Sequence, residues 1–438
     1  MWCRSDRRGQ PASIYALAVD GDRLLAVHDD KGDRIQRHSL DRDEAWANRG
    51  RRSDARAASR GDVLPPDSAG RARYPRYVDR CSGAHVWDVD GNRYIDYLLG
   101  YGPVILGHAH PDVNSAAMAE LERGHCFAPL WSPRQVELAE VLCGVIPGAE
   151  AVLLLKTGSD ATTAAVRLAR IFTGRERVLR WGYNGWHDWS VHQAPGVPPM
   201  SRAEEFDLDD LDDLDRRMTK ADPIACVVTM PFEYEQSRPG HLEQVRTIVH
   251  SHGALLVLDE MRSGFRLSLG GAQDYLGVRA DLTTFSKAMA NGYAISAVTG
   301  SAEIMAGLAS TKISSTFFAN PADMAAALTT IHILAETDAL DRIWTFGASL
   351  IAGLREIVAE AGIPAEVVGY PPMPFLRFTH ADADDSDLAR LTFFSETTKR
   401  GVLLHPDHQW FVSAAHSVAD LDKTLAACRR GLLAAAAI

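Results

Sequence analysis

Three apolar runs in this sequence end in residues that could do chemistry. The first is Leu153-Leu154-Leu155-Lys156-Thr157-Gly158-Ser159-Asp160, where an apolar run meets a glycine and a helical pattern through Ala161, Ala165, Leu168 and Ala169. A helix N-terminus offers free backbone N–H groups and partial positive charge, and Gly158 lets an anion approach, so a phosphate could sit there. Thr157, Ser159 and Asp160 are also ordinary N-cap residues, and the stretch matches neither a P-loop nor G-x-G-x-x-G. The second run, Ala254-Leu255-Leu256-Val257-Leu258-Asp259, ends in a carboxylate able to keep a heterocyclic nitrogen protonated, although a turn or cap aspartate reads the same. The third, Asp281-Leu282-Thr283-Thr284-Phe285-Ser286-Lys287, ends in a lysine beside apolar groups. Desolvation would lower its pKa and free a nucleophilic amine, whereas a single lysine is otherwise a surface charge. An anion site, an acid for a ring nitrogen and an amine for an aldehyde are the three anchors that pyridoxal phosphate needs.

Elements must bring these ends together. Short apolar runs (Ala151 to Leu155, Ile224 to Thr229, Ala254 to Leu258) alternate with helical patterns (Ala161 to Ile171, Leu242 to His250), which predicts a parallel sheet with crossover helices and its ligand at the carboxyl ends of the strands. Upstream, Ala84 to Tyr97 reads as two strands around Asp90-Gly91. After about Ala335 the pattern becomes helix, a proline-rich loop (Pro371-Pro372-Met373-Pro374), short strands and a final helix from Val418, a smaller lobe. Residues 1–60 are dense in Arg and Asp and read as an extension of disordered composition, with one candidate hairpin from Ile14 to Val27.

With 438 residues, 46% hydrophobic and 24% charged, the chain has ordinary globular composition. The excess of 57 Asp+Glu over 46 Lys+Arg leaves -11, which argues against a nucleic-acid partner. Cys3, Cys81, Cys126, Cys143, Cys226 and Cys428 are scattered without C-x-x-C spacing, and no apolar leader or membrane-length stretch occurs, so the expectation is a cytoplasmic protein without a membrane anchor.

The three anchors in this order, with Trp87-Asp88-Val89-Asp90-Gly91-Asn92-Arg93-Tyr94-Ile95-Asp96 and Gly107-His108-Ala109-His110-Pro111, resemble the class III aminotransferases of fold type I, nearest the glutamate-1-semialdehyde aminomutase-like branch. The likeness runs from about Val63 to the C-terminus. It implies a pyridoxal 5'-phosphate cofactor and an α/β fold with a large domain (106–334) built on a mostly parallel seven-stranded sheet, plus a smaller α+β domain (61–105 and 335–438). It implies Lys287 as the Schiff-base lysine, Asp259 on the ring nitrogen, Met261 against one ring face, and Gly158 and Ser159 on the phosphate. From Trp181-Gly182-Tyr183-Asn184-Gly185 it implies Tyr183 stacked on the ring, with Asn184 where histidine is usual. It makes Thr316 a phosphate contact reaching into the neighbouring subunit, hence a homodimer.

Where the family commonly reads Glu-Pro, this chain has Met230-Pro231. A carboxylate-binding arginine could be Arg71, Arg73 or Arg262. His108 and His110, with no further ligands nearby, are read as structural rather than metal-binding. The expected partners are a small-molecule amino donor and an oxo acceptor in ping-pong transfer. The alternatives are an aminomutase or racemase with the same residues, or a non-catalytic binding protein.

Overall fold

A computed structural model of the chain describes residues 27–28, 34–35, 39–55, 63–191, 195–199, 203–220, 222–318 and 320–437. The hairpin read from Ile14 to Val27 lies outside the described residues except for Val27, which pairs instead with Ile35. Within the stretch read as an extension, Asp41–Ser53 forms a helix, α1, with three acids in its first turn and two arginines in its last, matching the helix dipole. It is tied to the body through Asp43, which is fully buried and accepts from Arg76 Nε at 2.7 Å and the Tyr77 amide at 2.8 Å. Asp90 in turn accepts from the amides of Arg42 and Asp43.

The hairpin around Asp90-Gly91 forms as β2 (His85–Asp88) and β3 (Arg93–Asp96), joined by β1 (Val78–Ser82). Gly91, at φ 88°, takes the left-handed turn position. Next come β4 (Ala151–Leu155), α2 (Gly158–Thr173), β5 (Arg177–Trp181), β6 (Glu204–Glu205), β7 (Ile224–Thr229), α3 (His241–Ser251), β8 (Leu255–Asp259), β9 (Leu282–Phe285) and β10 (Ser296–Gly300). The seven strands β4 to β10 form one sheet in the order β4-β10-β9-β8-β7-β5-β6. It is mixed. β10 runs antiparallel to both β9 and β4, while the other pairings are parallel.

Every residue of β7, β8 and β9 is buried because helices cover both faces. Side chains alternate between the two layers. Cys226, Val228, Leu255 and Val257 pack with Ala161, Ala165 and Leu168 of α2, whereas Val227 and Leu256 pack with Leu242, Val245 and Val249 of α3.

The C-terminal part begins with a long helix, Ala339–Ala361, and a hairpin of Ala365–Tyr370 with Met373–Phe378. The sequence reads Pro371 to Pro374 as loop, but only Pro371 and Pro372 form the turn and Met373 and Pro374 begin a strand. Pro374 is tolerated there because the ribbon has two strands and its carbonyl is used, accepting from the Trp410 amide at 3.0 Å. Val402–Leu403 runs parallel to β3, so one four-stranded sheet joins the segment before the large sheet to the segment after it. Trp410, Phe411 and Val412 are fully buried, and the helix Val418–Ala435 closes the chain. Among the described residues no helix is long and apolar enough to cross a membrane.

Candidate active site

The ends of β4, β8 and β9 open on one cavity of about 730 Å³. Its lining includes Gly158, Ser159, Tyr183, Asn184, Asp259, Met261, Arg262 and Lys287, so the residues chosen from three separate runs share a site.

At the end of β4 both readings of the turn hold. Thr157 and Asp160 form a capping box, the Thr157 hydroxyl accepting from the Asp160 amide and the Asp160 carboxylate accepting from the Thr157 amide. The amides of Gly158 and Ser159 have no partner among the described residues and lie on the cavity wall. The turn is tightly packed. A Cβ on Gly158 would lie 2.9 Å from Met261 Sδ, and one on Gly185, at φ 106°, would lie 2.5 Å from Ser159 Oγ. Glycine at 158 therefore keeps open a concave, donor-lined surface of the kind a phosphate takes.

Asp259 ends β8 and is only 2% exposed. Its Oδ1 accepts from the Met261 amide at 3.0 Å and its Oδ2 from Asn184 Nδ2 at 2.9 Å, but it makes no ion pair among the described residues. Burial pushes its carboxyl up, opposed by the hydrogen bonds from Asn184 and Met261 and by the charges of Lys287 and Arg262. A buried acid without a direct counter-ion suits a ligand that brings a protonated nitrogen. Asn184 is thus a direct partner of Asp259. Its own backbone carbonyl accepts from Thr162 Oγ1 at 2.8 Å, while its buried Oδ1 has no partner.

Lys287 follows β9 at φ 46°, a left-handed conformation that costs a residue with a Cβ roughly 1–2 kcal/mol. Such strain persists only where packing fixes it, and Ala288, Met289 and Ala290 are all buried. Burial brings the Lys287 amine down to about 8 from 10.5, helped by the Arg262 and Arg266 charges and opposed by Asp259. The neutral amine is the nucleophile, so the protein should capture added pyridoxal phosphate at a rate that rises with pH through about 8. Growth of the cofactor's visible absorbance against pH measures this, and a midpoint at 10.5 would remove the argument from desolvation.

The loop after β8 is held by its own acid. Glu260, fully buried, accepts from the amides of Ala272 and Gln273 at 2.8 and 2.7 Å and from the Ser263 hydroxyl, and burial pushes it up to about 7. Arg266, also fully buried, donates to the carbonyls of Gly102 and Val412 with its guanidinium 5.0 Å from the Phe411 ring. It thereby ties this loop to the C-terminal segment.

The remaining candidates lie elsewhere. Arg71 is exposed and pairs with Asp67; Arg73 reaches Ser395 Oγ at 3.5 Å; neither lines the cavity. Thr316 is exposed and also lies off this subunit's cavity. Tyr183 lines it but is 73% exposed. His108 bonds Asp96 at 2.8 Å, and no group of metal-ligating residues occurs among the described residues. The sequence reading missed Tyr101, His405 and His408, which also line the cavity. The glycines flanking Tyr101 were a signal for a special backbone, and Tyr101 does lie at φ 67°. The two histidines arrive from the far end of the chain.

The residues present fit pyridoxal phosphate: unpaired amides at a helix start, a buried acid lacking a counter-ion and a desolvated lysine share one cavity. Residues 68–191 and 196–428 match the family model for class-III aminotransferases. The chain is 40% identical over 370 residues to 3-aminobutyryl-CoA aminotransferase of Cloacimonas acidaminovorans, covering 82% of this chain and 89% of the relative. It is 37% identical over 397 residues to glutamate-1-semialdehyde 2,1-aminomutase of Methanothrix thermoacetophila, covering 84% and 92%. Among solved structures, the PLP internal aldimine form of the FumI protein of Sphingopyxis sp. MTA144 superposes with a TM-score of 0.83 at 32% identity, over 89% of this chain and 95% of that one.

Proposed function

Because the chain belongs to the class-III aminotransferases, and is thus a pyridoxal-phosphate-dependent transaminase of fold type I, we propose a residue-by-residue account of how this site moves an amino group. Pyridoxal phosphate supplies an aldehyde that condenses with primary amines and a protonated ring that draws electrons from the carbon bearing the nitrogen. Gly158 and Ser159 hold the phosphate through their free amides and the Ser159 hydroxyl, and Met261 and Tyr183 pack the ring. Asp259, oriented by Asn184, keeps the ring nitrogen protonated. Lys287 would hold the cofactor's aldehyde and, with its amine free, would be the base that moves a proton at the substrate carbon. The cofactor would carry the nitrogen between an amino donor, which water converts to an oxo product, and an aldehyde or ketone acceptor. The observation that carries this account is the convergence of Lys287, Asp259 and the Gly158-Ser159 turn on one cavity.

The aminomutase named among the relatives uses its substrate's own nitrogen, so the test is a donor requirement. A panel of amines given separately from oxo acceptors should show parallel-line, ping-pong kinetics and no turnover without a donor. Full turnover of a single amino-aldehyde with no donor would replace transfer by mutase chemistry.

The exposure of Thr316 and of large apolar side chains supports a homodimer. Leu130, Trp131 and Phe317 are each more than 60% exposed, apolar surface that a partner subunit would cover. In the dimer Thr316 reaches the partner's phosphate turn. Sedimentation should give twice the chain mass, and Thr316→Ala should lower cofactor affinity roughly tenfold, the scale of one lost hydrogen bond to a charged group, without changing that mass. A monomer with full cofactor affinity would remove this part of the account.

A further inference from the structure

We infer that His408 sets the specificity of this site: its Nε2 accepts a hydrogen bond from the substrate, so the cavity selects amines that carry a donor, a hydroxyl or an amide N–H, along their chain. The inference rests on the amino-transfer reading above and names its substrate class. His408 shares the cavity lining with Lys287 and Asp259 but reaches it from the C-terminal segment. Its Nδ1 lies 2.9 Å from the Gln409 carbonyl, which can only accept, so Nδ1 carries the proton of the neutral ring and Nε2 carries the lone pair. Nε2 makes no hydrogen bond among the described residues.

The ring is neutral at working pH. Burial pulls its pKa down to about 4 against the Gln409 bond, with the charges of Arg262, Lys287 and His405 acting on the side of burial. The acceptor is also held in place. Its ring packs against Tyr101 at 4.9 Å and against the fully buried Phe411 at 5.6 Å between centres. The segment around it is tied down: the Asp407 amide donates to His405 Nδ1 at 3.0 Å, the Asp407 carbonyl accepts from the Tyr234 hydroxyl at 3.0 Å, and the His405 carbonyl accepts from Trp410 Nε1 at 2.9 Å. A carboxylate cannot donate to such a lone pair. An alkyl chain that covers it takes away the bond it makes with water and returns none. A hydroxyl or an amide N–H replaces that bond with one already oriented.

The test pairs a binding readout with turnover, each using isomers that differ in whether an oxygen carries a proton. Thermal melting of the cofactor-loaded protein is followed with 1,4-butanediol or 1,2-dimethoxyethane, neither of which has an amine to react. The diol should raise the midpoint relative to the diether. That difference should vanish in His408→Phe, which keeps a ring against Tyr101 and Phe411 but has no acceptor. In turnover, kcat/KM should favour 4-aminobutan-1-ol over 3-methoxypropan-1-amine by roughly threefold to tenfold, the scale of one hydrogen bond between neutral groups. The ratio should fall to about one in His408→Phe and should largely persist in His408→Gln, whose amide oxygen can stand where Nε2 stood. A parent protein that does not tell the isomers apart, or a His408→Phe protein that still prefers the hydroxyl, would overturn the assignment. Loss of preference in His408→Gln as well would assign the effect to the shape of the ring and overturn the role given to its lone pair. If the diol binds as described but no amine is processed, the transfer reading fails and this one stands; if amines are processed with no preference for the hydroxyl, the reverse holds.

Discussion

Lys287→Ala is expected to fold as the parent does and to lose both the absorbance band of the lysine-bonded cofactor and all measurable transfer. The rate loss should exceed about 10⁴-fold, since proton transfer by a positioned side chain alone contributes 10²–10⁴ and the bond to the aldehyde is lost as well. Folding should survive for two reasons. Alanine carries a Cβ as lysine does, so the strain of φ 46° is neither added nor removed. The amine it deletes is destabilised by burial and by two arginines, so its removal relieves a desolvation cost. Added pyridoxal phosphate should still be held by the Gly158-Ser159 turn and Asp259, detectable by equilibrium dialysis. An alanine variant with transfer within tenfold of the parent would end the assignment of Lys287.

Asp259→Asn should separate binding from chemistry. The variant keeps the shape of the side chain and loses the charge that holds the ring nitrogen protonated, so kcat should fall by about 10²–10³, the scale on which preorganised electrostatic groups act. The cofactor-free variant should melt no lower than the parent, because Asp259 is a buried carboxylate without an ion pair and its neutralisation removes a cost. The gain in melting temperature on adding cofactor should shrink, since the charge pair that the cofactor completes is gone. Asp259→Glu tests geometry: its extra methylene displaces the carboxylate from Asn184 Nδ2, now 2.9 Å away, and it should also lose activity although charge is retained. An Asn variant with parental kcat would show that the ring needs no anionic partner here.

These predictions depend on residues that the sequence exposed to different degrees. The runs ending at Leu155 and Asp259 were legible as strands because they are continuously apolar, and Leu282–Phe285 because its threonines and phenylalanine favour strands; chemistry-bearing residues at their carboxyl ends follow from how open α/β sheets bind ligands. The reversed direction of β10 was not legible, since Ser296-Ala297-Val298-Thr299-Gly300 carries the same buried pattern whichever way it runs. The helix Asp41–Ser53 was hidden for a different reason. It is polar almost throughout and is held mainly by polar contacts, the buried acid Asp43 to Arg76 and Tyr77 and the Arg42 and Asp43 amides to Asp90, which composition cannot distinguish from those of exposed neighbours.

The sequence alone therefore picked out the proposed cofactor anchors. Lys287, Asp259 and Gly158-Ser159 are each set by short-range chemistry, a residue type at the end of a strand or the start of a helix. Only the tertiary structure decided the environment of the substrate. Arg262 looks like any arginine until Met230, 32 residues earlier in the chain, is found against its guanidinium. Arg71 and Arg73 look equally suitable until they are found turned to Asp67 and Ser395. Tyr101 and His408, 307 positions apart in sequence, meet with ring centres 4.9 Å apart at the cavity wall. A charge's role depends on what lies within a few ångströms of it, and those neighbours are supplied by the packing of distant segments rather than by the local pattern.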